Sequence, residues 1–254
     1  MPHEVEISLS VVSHGQMALV QKLLTDISKH CGSERIELIL TLNLRDELAP
    51  YLGHFTFPVQ LLRNEIPLGF GANHNQAFSR AKGAYFCVLN PDIRLDANPF
   101  PALVQALATP HIGVAAPLVV GMDGIQEDSA RPFPTPSVIL RRLFTGKHLA
   151  EYVSEGAAYQ PDWVGGMFMF LPQAVYRQIN GFDERYFLYY EDVDFCGRLR
   201  LQGWNAVLCP AAHVTHNAQH SSHKSLRYMR WHLGSMLRFF TSRTFFGLWR
   251  KGCL

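Results

Sequence analysis

The sequence of 254 residues has few cysteines, and none stands at the spacing of a disulfide framework or a thiolate metal site. The five are scattered, at Cys31, Cys87, Cys196, Cys209 and Cys253. Neither a small disulfide-stapled fold nor a thiolate zinc protein is therefore indicated, and a reducing cytoplasm is the simplest compartment.

Long hydrophobic runs are also missing. Stretches such as residues 164–171 are far too short to cross a bilayer, and the N-terminal residues lack the basic-then-apolar order of a signal peptide. No low-complexity segment or internal repeat interrupts a composition that is 48% hydrophobic. These absences predict a soluble or peripheral protein with a sizeable core, for which a single α/β domain is an ordinary solution.

Acidic residues are absent from the last part of the chain. Asp194 is the last carboxylate, whereas nine Lys and Arg residues follow it. The last 60 residues therefore carry a charge of +9 and the first 194 carry −7, within a net charge of only +2. Such a separation indicates an anionic surface or ligand near the C-terminal part.

Apolar runs that alternate with amphipathic stretches predict an α/β fold. The stretch 17–30, for example, places Leu19, Leu23 and Ile27 on one helix face, between two strands that read as buried. This order is typical of a mostly parallel sheet with helices on both faces, in which ligands bind beyond the carboxyl ends of the strands. The predicted strands are 7–13, 36–42, 59–62, 85–89, 113–120 and 206–209, and the predicted helices are 17–30, 72–81, 100–107 and one that begins at Glu191.

Polar side chains follow three of these strands, at Ser13-His14, at Asn43 and at Asn90-Pro91-Asp92. A carboxylate in the position of Asp92 can bind a hard divalent cation that in turn holds a diphosphate. The tripeptide by itself favours a simpler explanation, an ordinary Asn-Pro-Asp turn.

Four histidines come after the last predicted strand, at His213, His216, His220 and His223. One of them can complete a metal site with Asp92. Their spacing equally fits a solvated helix face, and a structural zinc site is a weaker alternative because no Cys or carboxylate accompanies them.

A glycine-rich segment, residues 69–75, lies between a predicted strand and a predicted helix. Gly69 and Gly71 let the backbone come close to a ligand, and the helix N-terminus behind them is a place where anions bind. The third glycine of the dinucleotide fingerprint is missing, so a Rossmann oxidoreductase is disfavoured. A glycine-rich turn with asparagine capping explains the segment as well as a ligand loop does.

The segment 181–194 combines five carboxylates with five aromatic residues and runs into a helical pattern. Glu191 and Asp192 therefore stand at the start of a helix. Carboxylates at a helix start, surrounded by aromatic rings, suit a general base that acts on a substrate with a polar ring. Helix capping and dipole complementarity explain the same two residues without excluding that role. Asp194 and Arg198 are predicted to form a surface ion pair.

Two regions indicate contact with a membrane. Residues 138–144, within a loosely patterned stretch from 131 to 161, are typical of a mobile flap or a membrane-facing loop. Residues 226–254 interleave Arg and Lys with aromatic and aliphatic side chains, which is the composition of an interfacial helix on anionic lipid. Binding of single-stranded nucleic acid and docking of the helix on the core are the alternatives. The predicted division is a catalytic domain, 1–222, and a basic aromatic helical tail, 223–254.

Taken in order, these motifs resemble those of bacterial family-2 glycosyltransferases, which have the GT-A fold. The likeness covers nearly the whole chain, is most specific between Trp163 and Trp204, and points within the family to rhamnosyltransferases of O-antigen and cell-wall polysaccharide assembly. The segments that carry it are residues 11–15, 69–75, 89–92, 162–168, 181–204 and 230–233.

The resemblance implies a metal site. Asp92 corresponds to the last acid of a DXD-type motif that binds Mg²⁺ or Mn²⁺ on the nucleotide diphosphate, and Asn90 replaces the first acid. His216 resembles a C-terminal metal ligand of the family, with His213 and His220 as competitors for that role.

The resemblance also implies a base and a donor pocket. Asp192 matches the base that deprotonates the acceptor hydroxyl, with Glu191 beside it as a second catalytic candidate. Many relatives have an Asp-Asn pair after the second strand, whereas this chain has Leu42-Asn43, which leaves the identity of the nucleotide open. The implied donor-binding residues are Ser13, His14, Asn43, Asn64, Gly69, Gly71, Asn73, Asn90, Asp92, Trp163, Gly165 and Gly166.

The implied activity is that of an inverting transferase. It would move L-rhamnose from dTDP-β-L-rhamnose to a polyprenyl-diphosphate-linked sugar, most simply N-acetylglucosamine, by one displacement with one carboxylate base. Such an acceptor places the enzyme at the inner face of the cytoplasmic membrane as a peripheral protein, with no nucleic acid partner. The alternatives are another donor, such as a UDP-hexose or UDP-galactofuranose, and a non-catalytic membrane-bound protein that binds sugar nucleotides. The sequence does not fix the oligomeric state.

Overall fold

The computed structural model describes residues 5–44, 55–139, 158–217 and 226–254. The strands are β1 (Ile7–Ser13), β2 (Ile36–Leu42), β3 (Val59–Arg63), β4 (Tyr85–Leu89), β5 (Ile93–Arg94), β6 (Ile112–Gly121), β7 (Ala130–Arg131), β8 (Trp163–Val164), β9 (Phe168–Pro172) and β10 (Asn205–His216). The helices are α1 (Met17–His30), α2 (Phe70–Phe78), α3 (Phe100–Leu107), α4 (Gln173–Gln178), α5 (Glu191–Leu201), α6 (Leu226–Phe240) and α7 (Arg243–Arg250).

In the described ranges, an eight-stranded sheet forms the centre of the molecule, in the order β3-β2-β1-β4-β9-β6-β10-β5. β3, β2, β1 and β4 are parallel to one another, and β6 is parallel to β10. β9 lies between these two groups and is antiparallel to both β4 and β6. The long strands other than β9 therefore all run in one direction, and their carboxyl ends meet at one edge of the sheet. β5 pairs with the end of β10, and β7 pairs separately with β8.

Cores lie on both faces of the sheet. β1 and β2 are buried along their whole length, as strands covered on both sides require. On one face, α1 and α3 contribute residues such as Leu23 and Leu103. On the other face, α4 and α5 contribute Tyr176 and Phe195, both fully buried. Polar groups near the carboxyl ends of the strands are thus carried by a rigid scaffold.

The two C-terminal helices pack against the rest of the molecule. Phe239 of α6 and Leu248 of α7 are fully buried. α7 approaches α5 closely because glycine lies at the contact: a Cβ on Gly197 would be 2.6 Å from Thr244 Cγ2. Within the described ranges, no helix has the length and apolar character needed to cross a bilayer.

The ion pair between Asp194 and Arg198 lies partly inside this helix contact. Asp194 is buried and accepts hydrogen bonds from Arg198 Nε at 2.7 Å and from Thr244 Oγ1 at 2.6 Å. The prediction of a surface pair is therefore wrong, because α7 covers the carboxylate and supplies it with a second donor.

The predicted fold class is confirmed, and every predicted strand is present, with β3, β6 and β10 longer than predicted. α1 and α3 have the predicted bounds, whereas α2 begins and ends earlier than the predicted 72–81. His213 and His216 lie on β10, so a solvated helix face is wrong for these two. His220, His223 and residues 140–144 of the predicted flap lie outside the described residues.

Candidate active site

The acidic pair Glu191 and Asp192 occupies the first turn of α5, directly after two residues with left-handed backbone. Tyr189 and Tyr190 have φ angles of 69° and 64°, values that residues other than glycine seldom adopt. Tyr190 is the N-cap residue, so the two carboxylates lie inside the helix and do not cap it. Backbone strain of this kind clusters at functional sites, where the surrounding structure holds it in place.

Helix α6 holds this strained turn. Ser235 Oγ donates a hydrogen bond to the Leu188 carbonyl oxygen at 2.8 Å. Phe187 packs on Trp231 with ring centroids 4.7 Å apart, and the rings of the two tyrosines lie 5.3 and 5.5 Å from that of His232. The helix that the sequence analysis assigned to a separate tail therefore supports the segment that carries the acidic pair.

The two carboxyl groups of the pair have different surroundings. Asp192 is half-buried, and its oxygens accept hydrogen bonds from the N–H groups of Gly166 at 3.1 Å and Val193 at 2.9 Å. Burial raises the pKa of Asp192, while these N–H groups and the charge of Arg131 act in the opposite direction. Glu191 is buried, and its Oε2 has no hydrogen-bond partner. Burial, and then the charge of Asp192, raises the pKa of Glu191 well above its usual range. Burial thus raises the pKa of both carboxyl groups, and Asp192 is the one whose oxygens are bound by backbone N–H groups.

The backbone that binds Asp192 belongs to the segment 163–167, which contains three predicted site residues. β8 pairs with β7, Trp163 Nε1 donates to the Pro132 carbonyl oxygen at 2.9 Å, and Gly165 N–H donates to a backbone carbonyl at 2.8 Å. A Cβ on Gly166 would lie 2.9 Å from the Phe70 ring of the glycine-rich segment, so a side chain at this position would displace that ring. The structure therefore brings Trp163, Gly165 and Gly166 together in the segment that binds Asp192.

Arg131, at the end of β7, is a candidate that the sequence analysis missed. Its guanidinium lies over the Trp163 ring, 5.6 Å from the centroid, and its Nε is 2.7 Å from Asp128 Oδ2. The positive charge of Arg131 acts to lower the pKa of Asp192, against the larger effect of burial, which raises it. A guanidinium near Asp192 suits an anionic group such as a diphosphate. In the sequence, Arg131 opens a loosely patterned stretch and belongs to no motif.

The two glycines of the segment 69–75 pack against the acidic and aromatic segment. A Cβ on Gly69 would lie 2.7 Å from the Phe187 carbonyl oxygen, and one on Gly71 would lie 2.5 Å from Phe182 Cβ. Phe70 N–H donates to the same Phe187 oxygen at 2.8 Å. Both glycines therefore allow two parts of the protein to pack closely, which is neither the approach of a ligand nor the capped turn that the sequence suggested as equal alternatives.

Three predicted donor-binding residues, Asn43, Asn64 and Asn73, form a network of their own. Asn64 Nδ2 donates to Asn43 Oδ1 at 2.8 Å and to Asn73 Oδ1 at 2.7 Å. Asn43 also donates to the Leu68 carbonyl oxygen and accepts from the Leu68 N–H, both at 2.8 Å. His14 Nδ1 lies 3.2 Å from Asn43 Nδ2. These side chains fix the turn before the glycine-rich segment, and their contact with a donor stays a prediction.

Ser13 and Asn90 stand at neighbouring strand ends. Ser13 is buried, and its Oγ accepts a hydrogen bond from the Gln16 N–H at 3.0 Å. Asn90 N–H donates to the Met167 carbonyl oxygen at 2.9 Å. The Asn-Pro-Asp turn is thus fastened to the same short segment that binds Asp192, and this segment links the two halves of the site.

Asp92 and His216 meet at the edge of the sheet, where β5 pairs with the end of β10. His216 Nε2 lies 3.2 Å from Asp92 Oδ2, and His216 Nδ1 lies 2.8 Å from Glu127 Oε2. Burial by itself lowers the pKa of His216, but hydrogen bonds to the two carboxylates, together with their charges, raise it to about 9. His213 is exposed three positions earlier on the strand, so among the described histidines proposed as ligands His216 is the one that reaches Asp92.

The Asp92 and His216 side chains fit a divalent cation. Asp92 Oδ1 is buried without a hydrogen-bond partner, and an orphaned buried oxygen is explained by a ligand that binds it. Ligands that are adjacent around an octahedral Mg²⁺ lie about 3 Å apart, close to the 3.2 Å between Nε2 and Oδ2. In the part of the chain that the structure describes, no group of three or more His, Cys, Asp or Glu side chains could hold a metal ion by itself. The remaining ligands would therefore come from substrate and water, as is common for Mg²⁺ bound with phosphates.

Comparison with known sequences gives matches over most of the chain. Residues 7–234 match the family model described as "Glycosyltransferase like family 2". The chain is 27% identical over 242 residues to the rhamnosyltransferase WbbL of Escherichia coli K12, and this match covers 90% of each chain. It is 31% identical over 186 residues to the N-acetylglucosaminyl-diphospho-decaprenol L-rhamnosyltransferase of Mycobacterium tuberculosis, over 65% of this chain and 60% of that protein.

Solved structures share the fold. GalNAc-T7, determined with UDP, GalNAc and Mn²⁺, has a TM-score of 0.69 at 15% identity, over 94% of this chain and 48% of that one. The mannosyltransferase PcManGT from Pyrobaculum calidifontis, in complex with GDP-Man and Mn²⁺, has a TM-score of 0.61 at 14% identity, over 93% of this chain and 65% of that one. At these identities the likeness concerns the fold, which is that of the GT-A class.

Proposed function

The chain belongs to glycosyltransferase family 2 and is a glycosyltransferase, and from this premise we propose that it transfers L-rhamnose from dTDP-β-L-rhamnose to a polyprenyl-diphosphate-linked sugar, most simply N-acetylglucosamine. Two relatives that cover most of the chain are named as rhamnosyltransferases, and the name of one specifies an N-acetylglucosaminyl-diphospho-decaprenol acceptor. Transfer proceeds with inversion, in the synthesis of O-antigen or another cell-surface polysaccharide.

The observation that carries the proposal is the geometry of the acidic pair. Asp192 is half-buried and is oriented by the Gly166 N–H, while Glu191 is buried and its Oε2 has no hydrogen-bond partner. Asp192 takes the proton from the acceptor hydroxyl as that oxygen forms its bond to the anomeric carbon and the bond to the nucleotide diphosphate breaks. A double displacement through a covalent glycosyl-enzyme would need a second accessible carboxylate as nucleophile, and Glu191 is buried. This supports a single displacement with inversion.

On the donor side, Asp92 and His216 would hold Mg²⁺ or Mn²⁺. When bound, the cation offsets the negative charge that grows on the departing diphosphate. The pairing of β5 with β10 keeps the two ligand residues together. The nucleotide would lie between this edge and the Asn43–Asn64–Asn73 network, so the predicted donor-binding set remains the proposed pocket.

We also propose that the enzyme is peripheral on the inner face of the cytoplasmic membrane. Exposed apolar side chains recur every three or four residues along α6 and form one stripe, which exposed arginines flank. The stripe residues are Leu226, Met229, Leu233 and Leu237, and the arginines are Arg227, Arg230 and Arg238. Stripes of this composition bind anionic lipid.

Other exposed apolar residues support the same orientation. Ile66, Met122 and Ile125 lie in loops that follow the carboxyl ends of β3 and β6, and Phe187 lies beside the acidic pair. The candidate site and these apolar groups therefore share one end of the sheet. That arrangement suits an acceptor whose lipid remains in the bilayer.

The proposal is tested by product formation from purified protein, a synthetic GlcNAc-diphosphate-lipid and a panel of nucleotide sugars, with and without EDTA. We expect transfer from dTDP-rhamnose alone, lost in EDTA and restored by Mg²⁺ or Mn²⁺. Transfer only from a UDP-hexose or UDP-galactofuranose would overturn the donor assignment. Transfer that survives EDTA would overturn the metal assignment.

The role of the base is tested by Asp192→Asn. This change keeps the shape of the side chain and removes its ability to accept a proton, so we expect kcat to fall by about 100-fold or more, while donor affinity measured by calorimetry is unchanged. Asp183→Asn is the matched control, because Asp183 belongs to the same segment but pairs with exposed Arg185 at the surface. If the chain only binds sugar nucleotides and is not catalytic, the wild type, Asp192→Asn and Asp183→Asn will all show no turnover.

A further inference from the structure

Glu127 belongs to none of the sequence motifs described above, yet its carboxylate contacts His216 of the candidate metal site. It follows a tight turn at the end of β6, in which Gly121 N–H donates to the Ile125 carbonyl oxygen at 2.8 Å and Glu127 N–H donates to the Val119 carbonyl oxygen at 2.9 Å. The backbone of Glu127 is therefore fixed on the same strand that pairs with β10. Its side chain is only about one-quarter exposed.

The two ring nitrogens of His216 face two different carboxylates. Nδ1 is 2.8 Å from Glu127 Oε2, and Nε2 is 3.2 Å from Asp92 Oδ2. An imidazole nitrogen binds a cation only when it carries no proton. If Nδ1 donates its proton to Glu127, the nitrogen that remains for a cation is Nε2, on the side of Asp92. The arrangement fixes the direction in which the ring points, and with a cation on Nε2 the proton of the neutral ring lies on Nδ1, facing Glu127.

The bond between Glu127 and His216 is not required to join the strands that carry these residues. β6 and β10 already pair from Val114 with Ala206 to Gly121 with His216. A hydrogen bond added at the end of such a long ladder contributes little to the stability of the fold. Fold stability is therefore a weak explanation for the contact between Glu127 and His216.

We infer that Glu127 is a positioning residue, which accepts the Nδ1–H of His216 and so presents Nε2, together with Asp92, to the divalent cation. This inference rests on the proposed function for the presence of the cation, and it adds the residue that orients one of its ligands. Partners of this kind behind a metal-binding histidine change metal affinity by about 10- to 100-fold when they are removed.

The test is binding of Mn²⁺ to the purified full chain with UDP or dTDP present and no sugar transfer, followed by electron paramagnetic resonance of the free ion. We expect Glu127→Ala to weaken Mn²⁺ binding by about 10- to 100-fold and Glu127→Gln to weaken it less, because an amide oxygen still accepts the Nδ1–H. Asp123→Asn is the matched control: it removes one acidic charge from the same turn and keeps the hydrogen bond to the Ile125 N–H.

A second readout separates positioning from a general loss of structure. The ¹⁵N shifts of the His216 ring report which nitrogen carries the proton, and in the metal-bound wild type we expect the proton on Nδ1. Loss of that preference in Glu127→Ala, at unchanged thermal stability, supports the inference. Equal Mn²⁺ affinity of Glu127→Ala and wild type would overturn it, as would a wild type that binds no Mn²⁺. The transfer assay runs separately, so failure of the proposed function would show there and not here.

Discussion

At the scale of single residues, His74 shows how burial sets a protonation state. It lies on α2, within the glycine-rich segment, with Nδ1 2.7 Å from the buried Ser10 Oγ and Nε2 without a partner. Burial, and then the nearby charge of His14, lowers the pKa of His74 to about 3. The ring therefore stays neutral in the folded protein under all mild conditions.

This makes His74 a source of acid sensitivity. The unfolded chain takes up a proton on His74 below about pH 6.5, whereas the folded protein does so only near pH 3. The stability due to this group is fully present above pH 6.5 and is lost as the pH falls toward 3. Between pH 7 and pH 5 we expect the wild type to lose about 2 kcal/mol from this residue alone.

The measurement is the free energy of unfolding in urea at the two pH values, for wild type and His74→Gln. The variant keeps a polar partner for Ser10 and does not titrate, so its loss between pH 7 and pH 5 should be smaller by that amount. His213→Gln, which replaces an exposed histidine, controls for the removal of one histidine. Parallel pH dependence in wild type and His74→Gln would contradict the explanation.

The candidate site could be predicted from sequence only where a residue follows a recognisable element. Asp92 follows a clear apolar strand and Asp192 lies in the first turn of a clear helix, so both could be named as candidates, and the histidines could be named as a set. Glu127 and Arg131 were missed because their contacts cross from one strand or loop to another. The residues next to them in the sequence show no pattern that predicts such contacts.

At the scale of elements, α6 and the turn before α5 form one unit. The strained turn is stabilised by contacts from a helix that follows it by some 40 residues, through Ser235 and a group of aromatic rings. Loosening this contact is expected to act on Asp192, the proposed base, and not on the proposed donor pocket, because Asp192 follows the turn directly.

Ser235→Ala tests this coupling. Removing the Oγ leaves the Leu188 carbonyl without that donor, and we expect about 1 kcal/mol less stability and a several-fold fall in kcat with little change in KM for the donor. The measurements are steady-state kinetics and thermal unfolding. Gln60→Ala is the matched control, since it removes a 2.9 Å hydrogen bond to buried Glu37 at the β3 side of the sheet, far along the strand order from the base. If Gln60→Ala lowers kcat as much as Ser235→Ala does, the coupling is only a general effect of stability.

Most elements were predictable because their pattern is local. Long buried strands such as β1 and β2 are continuous apolar runs, and α1 has a clear helical period. β5, β7 and β8 have two residues each, too few to show any period. β9 was missed because its residues continue an apolar run that begins at Val164, and only its pairing with β4 and β6 shows where the strand starts.

At the scale of the whole molecule, charge and apolar surface are distributed unevenly. The C-terminal part is positive and free of carboxylates, and α6 carries the apolar stripe on its outer side. Coulomb attraction to anionic lipid and burial of the stripe act in the same direction, so attachment should depend on both.

We expect the double variant Leu233→Asp and Leu237→Asp to lower binding to anionic vesicles by at least about tenfold, because two apolar anchors become charged. The measurement is vesicle flotation, with an oligonucleotide as competitor that we expect to have no effect. Thr25→Asp with Gln105→Asp is the control, since it adds the same charge on exposed positions of α1 and α3. Equal loss in both double variants would mean that net charge alone governs binding, and competition by the oligonucleotide would favour a nucleic acid partner.

The position of β9 in the middle of the sheet has a consequence for the order of events on the ribosome. β1 to β4 can pair as soon as they have been synthesised, but the free edge of β4 has no neighbour until Phe168 to Pro172 emerge, and only then can β6 and β10 join. Asp192, His216 and α6 all follow β9 in the chain. The residues proposed as base and metal ligand, and the helix proposed to bind lipid, therefore become available only after the strand that joins the two halves of the sheet.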